Sequence, residues 1–330
     1  MNCPNLINMP GNVLLKIAEF VGFPGIHMIR KTCSHFHNVF DTHPPSVPFD
    51  RIEILADQNS IRSLYFWSDD FISIRYKRTS NGCSVKNGDT EKFLENRNFE
   101  DVFIQDFQFN LSLQEGLLGV LELSWSHGEL SLLERIGQIL NSRKDRLKVS
   151  ELILNLKNRR QVEQILPFLD FEHLKILDFG QPEVWKNSFF TMEDIEEFSK
   201  LEQWKSVNRF ELSHGMENSR CFNNFLHASV VHVQVKILYL ADFVVVKEVS
   251  TQSGNHKRSG IFWALLENAK KSHDDLWCLV ESHEAFINDP TLISFSITYE
   301  DFADKNSLMN LLKTPSYIND DGENCMMKKD

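Results

Sequence analysis

Residues 149–179 read VSELILNLKNRRQVEQILPFLDFEHLKILDF, and this stretch decides the architecture of the larger part of the chain. Residues 149–154 form a short apolar run of strand length. Residues 162–168 carry apolar positions at helical spacing, and residues 174–179 return to a strand-like run. Two such strands separated by a helix within about 30 residues describe a parallel pair joined by a crossover helix.

The alternation continues in both directions. Upstream, residues 120–125 read as a strand and 130–140 as a helix. Downstream, helices are expected at 192–201, 222–227 and 260–270, and strands at 207–212, 233–240 and 292–299. Strand positions Leu152, Leu174, Val207 and Val235 are 22, 33 and 28 residues apart, each close to one strand-turn-helix unit. Such a unit cannot bury its apolar face alone and covers it with its neighbour, as in stacked leucine-rich repeats. No strict leucine-rich consensus with its asparagine position is present. The expectation is therefore an irregular α/β, leucine-rich-repeat-like arc rather than a closed barrel. Leu152, Leu154, Leu174, Ile176, Val207 and Phe210 are expected to face its interior.

Ahead of this body, residues 47–55, 61–67 and 71–76 are rich in Ile, Phe and Tyr and read as strands of a small antiparallel sheet. Asn81-Gly82 and Asn87-Gly88 bracket a polar hairpin or irregular loop. Residues 101–113 fit a strand or a short helix equally well. The fold class is α+β: a small helical module over 1–45, a strand-rich connecting region over 46–114 and the repeat-like domain over 115–330.

The helical module opens with a turn at Asn8-Met9-Pro10-Gly11-Asn12, then Val13, Leu14, Ile17, Phe20 and Val21 recur at helical spacing. Gly22-Phe23-Pro24-Gly25 should stop that helix. A second helix is expected from Ile26 through Phe40, with Ile29, Cys33, Phe36 and Phe40 inward, ending at His43-Pro44-Pro45. A unit this small has little interior, so the rest of the chain or a partner must cover part of its apolar surface.

The formal net charge is −11 and the isoelectric point about 5.6. A phosphate backbone is held by clustered Lys and Arg, so no nucleic-acid partner is expected. The densest basic positions, Lys144, Arg146, Lys148 and Arg159-Arg160, suit solvent-facing charge around a loop and a helix start. No run of about eighteen apolar residues suggests a membrane span, and no membrane partner is expected. Six cysteines at 3, 33, 83, 221, 278 and 325 are too scattered for a zinc site or a disulfide framework. Reduced thiols and a cytoplasmic or nuclear location follow as expectations.

Catalytic patterns are weak. Ser126-His127-Gly128 and Ser213-His214-Gly215 each follow an expected strand, but an adjacent serine and histidine do not make a nucleophile and base without an orienting third group. Both read as polar turns. Asp274-Asp275, Glu193-Asp194 with Glu196-Glu197, and Glu300-Asp301 suit solvated surface, and negative charge near residue 193 suits a helix start. There is no phosphate-binding glycine loop, His-Glu-x-x-His pair or calcium loop. No enzyme activity, cofactor or metal is expected. Trp204, between Gln203 and Lys205, is expected to cap the core with its indole N–H on a buried acceptor.

Two segments resemble known families. Residues 6–40 resemble an F-box: Met9-Pro10 stands where Leu-Pro is usual, Val13-Leu14-Leu15-Lys16-Ile17 forms the first helix, and Ile29-Arg30-Lys31-Thr32-Cys33 the later segment. Phe36 occupies a place often held by tryptophan. In the body, Gln203-Trp204-Lys205 followed by a strand, together with residues 150–179 and 223–227, resembles the FTH (DUF38) domain that follows the F-box in the nematode F-box A family. The resemblance covers roughly 115–270; the stretch 250–257 departs from it as an insert-like loop.

The resemblance implies a substrate receptor of an SCF-type ubiquitin ligase, bound to a Skp-type (Skp1-related) adaptor and, through it, a cullin, with an unknown protein target. It implies adaptor contacts at Pro10, Val13, Leu14, Ile17, Phe20 and Ile29. Target recognition is expected on the body, at loops 124–128, 180–187, 213–220 and 242–247. The alternative is an interaction scaffold that never enters a ligase.

Overall fold

The computed structural model describes residues 9–125, 130–156, 159–180, 190–225 and 227–237. The helix and strand expected at 260–270 and 292–299 lie outside them, as do the loops 126–128, 181–187 and 242–247.

Alternation along each strand builds the sheet. In β7 (Lys148–Asn155), Val149, Leu152 and Leu154 are buried while Glu151, Ile153 and Asn155 are half-buried. The same two-residue rhythm runs through β6 (Leu117–Trp125), β8 (Ile176–Phe179), β9 (Arg209–Asn218) and β10 (Val230–Ile237). These five strands are parallel and adjacent in chain order. Each crossover advances one strand in the same direction, and the right-handed rule for such connections sets their helices on one side of the sheet. The helical segments are α4 (Ser131–Ser142), α5 (Arg159–Glu163), α6 (Met192–Ser199) and α7 (Glu202–Ser206), with short 3₁₀ turns at Leu166–Phe168 and Ser219–Phe225.

The strand-rich region extends this sheet. β1 (Arg51–Ala56) pairs in parallel with β6, then β2 (Ser60–Trp67), β3 (Asp70–Thr79), β4 (Gly82–Asn87) and β5 (Thr90–Glu95) continue as an antiparallel meander. The described strands form one open row, β10-β9-β8-β7-β6-β1-β2-β3-β4-β5. The protein is thus α+β, with N-terminal helices followed by a ten-stranded mixed sheet. Residues 81–88, expected as a polar hairpin or irregular loop, are strand β4 with the turns that lead into and out of it.

Residues 101–113 lie in a helix, α3 (Phe99–Leu113). Asn98 caps it, its Oδ1 accepting the Glu100 N–H at 2.9 Å, and Glu100 and Asp101 place negative charge in the first turn. Phe99, Phe103 and Phe107 are buried on it, and Tyr76 of β3 donates to Asp106 at 2.9 Å. α3 packs on α4 as well as on β2, β3 and β4, so a continuous core runs under the helices from one half of the sheet to the other. Within α4, Gly137 lets the helix pass close to the main chain, since a Cβ there would stand 2.2 Å from the Gln164 carbonyl oxygen.

Two polar side chains fasten the connections. Gln203 donates to the carbonyls of Pro167 and Leu169 at 3.1 and 2.8 Å. Trp204 is fully buried and its Nε1–H donates to the Asn224 carbonyl at 2.8 Å, while Lys205 reaches outward to Glu202.

Three expectations need correction. Ile176 does not face the core: Leu177 and Phe179 occupy that side of β8, and Ile176 stands half-buried on the opposite face. Leu174 precedes the strand, so stepping from it by two places Ile176 on the wrong side. The other five residues named with Ile176 are buried. Ser213-His214-Gly215 is not a turn leaving a strand but part of β9, at a bulge where the register with β10 shifts between Val233 and Val235. Finally, the helix expected from Ile26 to Phe40 is interrupted. α1 (Gly11–Arg30) contains a break at Gly22, whose φ of 69° suits glycine, and α2 (Ser34–Thr42) starts after the extended Cys33. Thr32 turns its hydroxyl back onto the Ile29 carbonyl at 2.7 Å, ending the helix.

Candidate partner-docking surfaces

The N-terminal helices are anchored to the body by the second half of α1. Phe23 is buried against Phe49, Tyr65 and Trp67, and Ala18, Ile26 and Phe40 share the same core. His27 Nε2 donates to Asn110 Oδ1 of α3 at 2.7 Å, and its ring meets Phe109 edge-on. Burial pushes the His27 imidazole down to about 4; Asp106 and the Asn110 contact oppose this only in part, and Lys31 and Arg30 add to it. Arg30 holds Asp41 of α2 by two contacts, at 2.8 and 3.1 Å, and lies 4.1 Å over the Phe109 ring. α1 is long and apolar enough to cross a membrane by composition, but the Gly22 break divides it and its second half lies against the sheet and α3.

What the body does not cover forms a stripe. Val13, Ile17, Phe20 and Val21 fall on one helical face, with Pro10 one turn ahead of Val13. Phe20 is 93% exposed, Pro10, Val13 and Val21 are exposed, and Ile17 is half-buried. Of the six expected adaptor residues the structure therefore gathers Pro10, Val13, Ile17 and Phe20. Leu14 lies on the inward face with Ala18, 1% exposed, and Ile29 is half-buried against the core. Met28, 67% exposed, is a further apolar side chain left open.

The second surface is the face of the sheet opposite the helices. Strand register sets Glu53, Glu122, Ile153, Asp178, Glu211 and His232 in one cross-strand row. The adjacent row holds Arg51, Val120, Glu151, Ile176, Arg209 and Val230. Like charges directly opposite repel, and both ends of the first row are neutralised. Arg51 bridges Glu53 and Glu122, at 2.5 and 2.6 Å. Arg209 and His232 flank Glu211, at 2.7 and 2.8 Å.

Between those ends, Glu151 and Asp178 form no ion pair among the described residues. Asp178 Oδ1 is closed off from solvent and accepts no hydrogen bond among the described residues. Burial raises the Asp178 carboxyl to about 6, and the charges of Glu211, Glu151 and Glu122 act in the same sense against Arg209. Burial also acts to raise Glu211, but the His232 hydrogen bond and charge, with Arg209, hold it below the ordinary range. Glu151, Ile176, Asp178, Arg209, Glu211 and His232 together line a cleft of about 490 Å³.

Sequence reasoning did not single out this row. Its signal is an acid between two buried apolar residues at the same place in β6, β8 and β9, with Ile153 at that place in β7: Leu121-Glu122-Leu123, Leu177-Asp178-Phe179 and Phe210-Glu211-Leu212. Among the described residues, a potential metal-ligating group occurs at Asp170, Glu172 and His173, where Asp170 Oδ1 already accepts from the Glu172 N–H and lies 2.9 Å from His173 Nδ1. Cys83 and Cys221 are buried and Cys33 half-buried, and none of the three is in a disulfide among the described residues.

Comparison with known families gives one match: the FTH domain model covers residues 131–275, from α4 through β10 and beyond the described residues. No curated protein and no solved structure matches the chain. Residues 131–275 are thus FTH-like, a domain type linked to protein interaction, set on a repeat-type α/β sheet.

Proposed function

We propose that this protein is a substrate-recognition subunit of an SCF-type ubiquitin ligase. Its N-terminal helices dock a Skp-type adaptor, and through it a cullin, while the FTH-like body holds a protein target. It contributes no catalytic residue; the transfer chemistry belongs to its partners. The observation that carries the reading is the exposed stripe Pro10, Val13, Ile17 and Phe20, on helices fastened to the body by Phe23, Ile26 and Phe40. An apolar stripe on an anchored helix suits the apolar centre of a protein interface, and the F-box resemblance of residues 6–40 assigns the adaptor to it. The FTH match at 131–275 fits the domain order of F-box receptors.

The test is capture of a purified Skp-type adaptor by the intact chain. Phe20→Asp and Val13→Asp, both at exposed positions, should abolish capture while leaving the thermal unfolding midpoint nearly unchanged. Adaptor capture that survives both substitutions would remove the ligase assignment and leave an interaction scaffold.

A further inference from the structure

We propose that the open face of the β2–β3–β4 meander docks an acidic segment of a protein partner, with an apolar side chain of that segment seated on Phe66 and Phe71. The surface lies ahead of the FTH match and does not depend on the ligase reading.

Register builds the surface. Ile61, Tyr65, Ile74 and Tyr76 are buried in the core, so the alternate positions of these strands lie on the face away from α3. Arg62 stands directly opposite Arg75, and Arg75 directly opposite Lys86. Lys77 lies two residues further along β3 on the same face. All four are exposed, and none forms an ion pair among the described residues. Like charges in line across adjacent strands repel one another. The acids that border them are engaged elsewhere. Glu91, opposite Lys86, accepts from the Ser84 hydroxyl, and Glu53 is held by Arg51. Asp57, which feels the Arg75 charge, accepts from the Asn59 and Ser60 N–H groups and from the Ser60 hydroxyl. Arg62 is already oriented, its Nε donating to Ser73 Oγ at 2.9 Å, which leaves its terminal nitrogens for an incoming carboxylate.

A second observation on this face is independent of charge. Phe66 and Phe71, directly opposite each other, stack with their centroids 5.6 Å apart, and Phe71 is 60% exposed. They lie four residues along the strands from Arg62 and Arg75, about 13 Å at the rise of a strand. An extended segment with an apolar residue four positions from its carboxylates spans both. Charge complementarity selects a short acidic occupant over a long polyanion. Glu53 and Glu122 border the cations on one side and Glu91 and Glu95 on the other, and the net charge of −11 repels a polynucleotide or an anionic membrane.

Fluorescence anisotropy with the intact chain tests the surface. The probe is a fluorescein-labelled Glu-Ser-Glu-Ser-Ser-Ser-Phe peptide. Its comparisons are the same peptide with lysine for glutamate, the same with serine for phenylalanine, and a labelled oligothymidylate of equal length. Inorganic phosphate at matched ionic strength is the competitor. The pair Arg75→Gln/Lys86→Gln removes two cations from the row, and Phe71→Ser opens the aromatic pair. The control pair Lys144→Gln/Arg146→Gln removes two cations from the loop between α4 and β7; all five positions are exposed, and thermal melts check that each variant folds. The glutamate peptide should bind about tenfold tighter than the lysine peptide and about fivefold tighter than the peptide without phenylalanine. The Arg75/Lys86 pair should lose about tenfold, Phe71→Ser about fivefold and the control pair less than about twofold.

Equal weakening by the two cation pairs would show attraction to any exposed cation and overturn the surface. Absence of glutamate-peptide binding to the folded chain, tighter binding of oligothymidylate, or full displacement by phosphate would overturn it too. Adaptor capture measured on the same preparation separates the two readings. Peptide binding without capture overturns the ligase reading alone, whereas capture without peptide binding overturns the acidic-segment surface alone.

Discussion

Asp178 stands directly opposite Glu211 across β8 and β9, and the two carboxyls are displaced in opposite directions from their ordinary range. Burial acts to raise both carboxyls, and the neighbouring charges decide the outcome. Glu211 has Arg209 and His232 beside it, whereas Asp178 has Ile153 on its other side.

This asymmetry predicts a pH effect on stability. Asp178 titrates near 6 in the folded chain against 3.8 when free, so between those values the folded state holds the extra proton. Stability from this group is therefore lost as pH rises from about 4 to about 6. Asp178→Asn should remove that loss and stabilise the protein at pH 7.5 by about 1 kcal/mol, after allowing for solvent screening. Thermal melts of both proteins at pH 4 and pH 7.5 check it: the gain should appear at the higher pH only.

His27 should act in the opposite sense. Its imidazole falls to about 4 on folding from 6.5, so the unfolded chain takes up the proton first. The contribution is complete above about pH 6.5 and is lost as pH falls toward 4, on the order of 2 kcal/mol. His27→Gln, which can still donate toward Asn110, should flatten the acid limb of the stability profile in urea titrations between pH 4 and 7. An unchanged acid limb would mean that His27 is not held neutral by its burial.

Neighbouring residues on β8 should differ sharply when truncated. Leu177 is fully buried, so Leu177→Ala should cost about 2–5 kcal/mol. Ile176 lines the open cleft, so Ile176→Ala should cost less than about 1 kcal/mol. Denaturant midpoints of the two variants give the comparison directly.

Replacing a helical glycine by alanine ordinarily stabilises by about 1 kcal/mol. At Gly137 the sign should reverse, because the added methyl would meet a main-chain oxygen at 2.2 Å and that oxygen cannot swing aside. A loss of about 1–3 kcal/mol in calorimetry is expected.

Strands were legible wherever alternation was clear. Leu152 with Leu154, and Phe210 with Leu212, announce both a strand and its inner face. α3 was ambiguous because it is apolar nearly all round: Phe103, Ile104, Phe107 and Phe109 meet different neighbours and leave no clean polar face. Its Asn98 cap was the readable signal. The break at Gly22 was visible in Gly22-Phe23-Pro24-Gly25, whereas the second break at Thr32-Cys33 carries neither glycine nor proline. The apolar stripe of α1 could be read from spacing, but not that Leu14 turns inward, since the surface covering it comes from tertiary packing. The acidic row depends on register between strands far apart in sequence, which periodicity within one strand does not supply.

The parallel pairing of β1 with β6 sets how this protein can be divided. A fragment beginning at residue 115 would keep the whole FTH match yet lose β1, baring the backbone donors and acceptors along one side of β6. Such an edge recruits other chains. Fragment or chimaera work should therefore keep residues 46–125 together, cutting before β1 instead of between β1 and β6, so that soluble material reports on recognition rather than on strand-edge self-association.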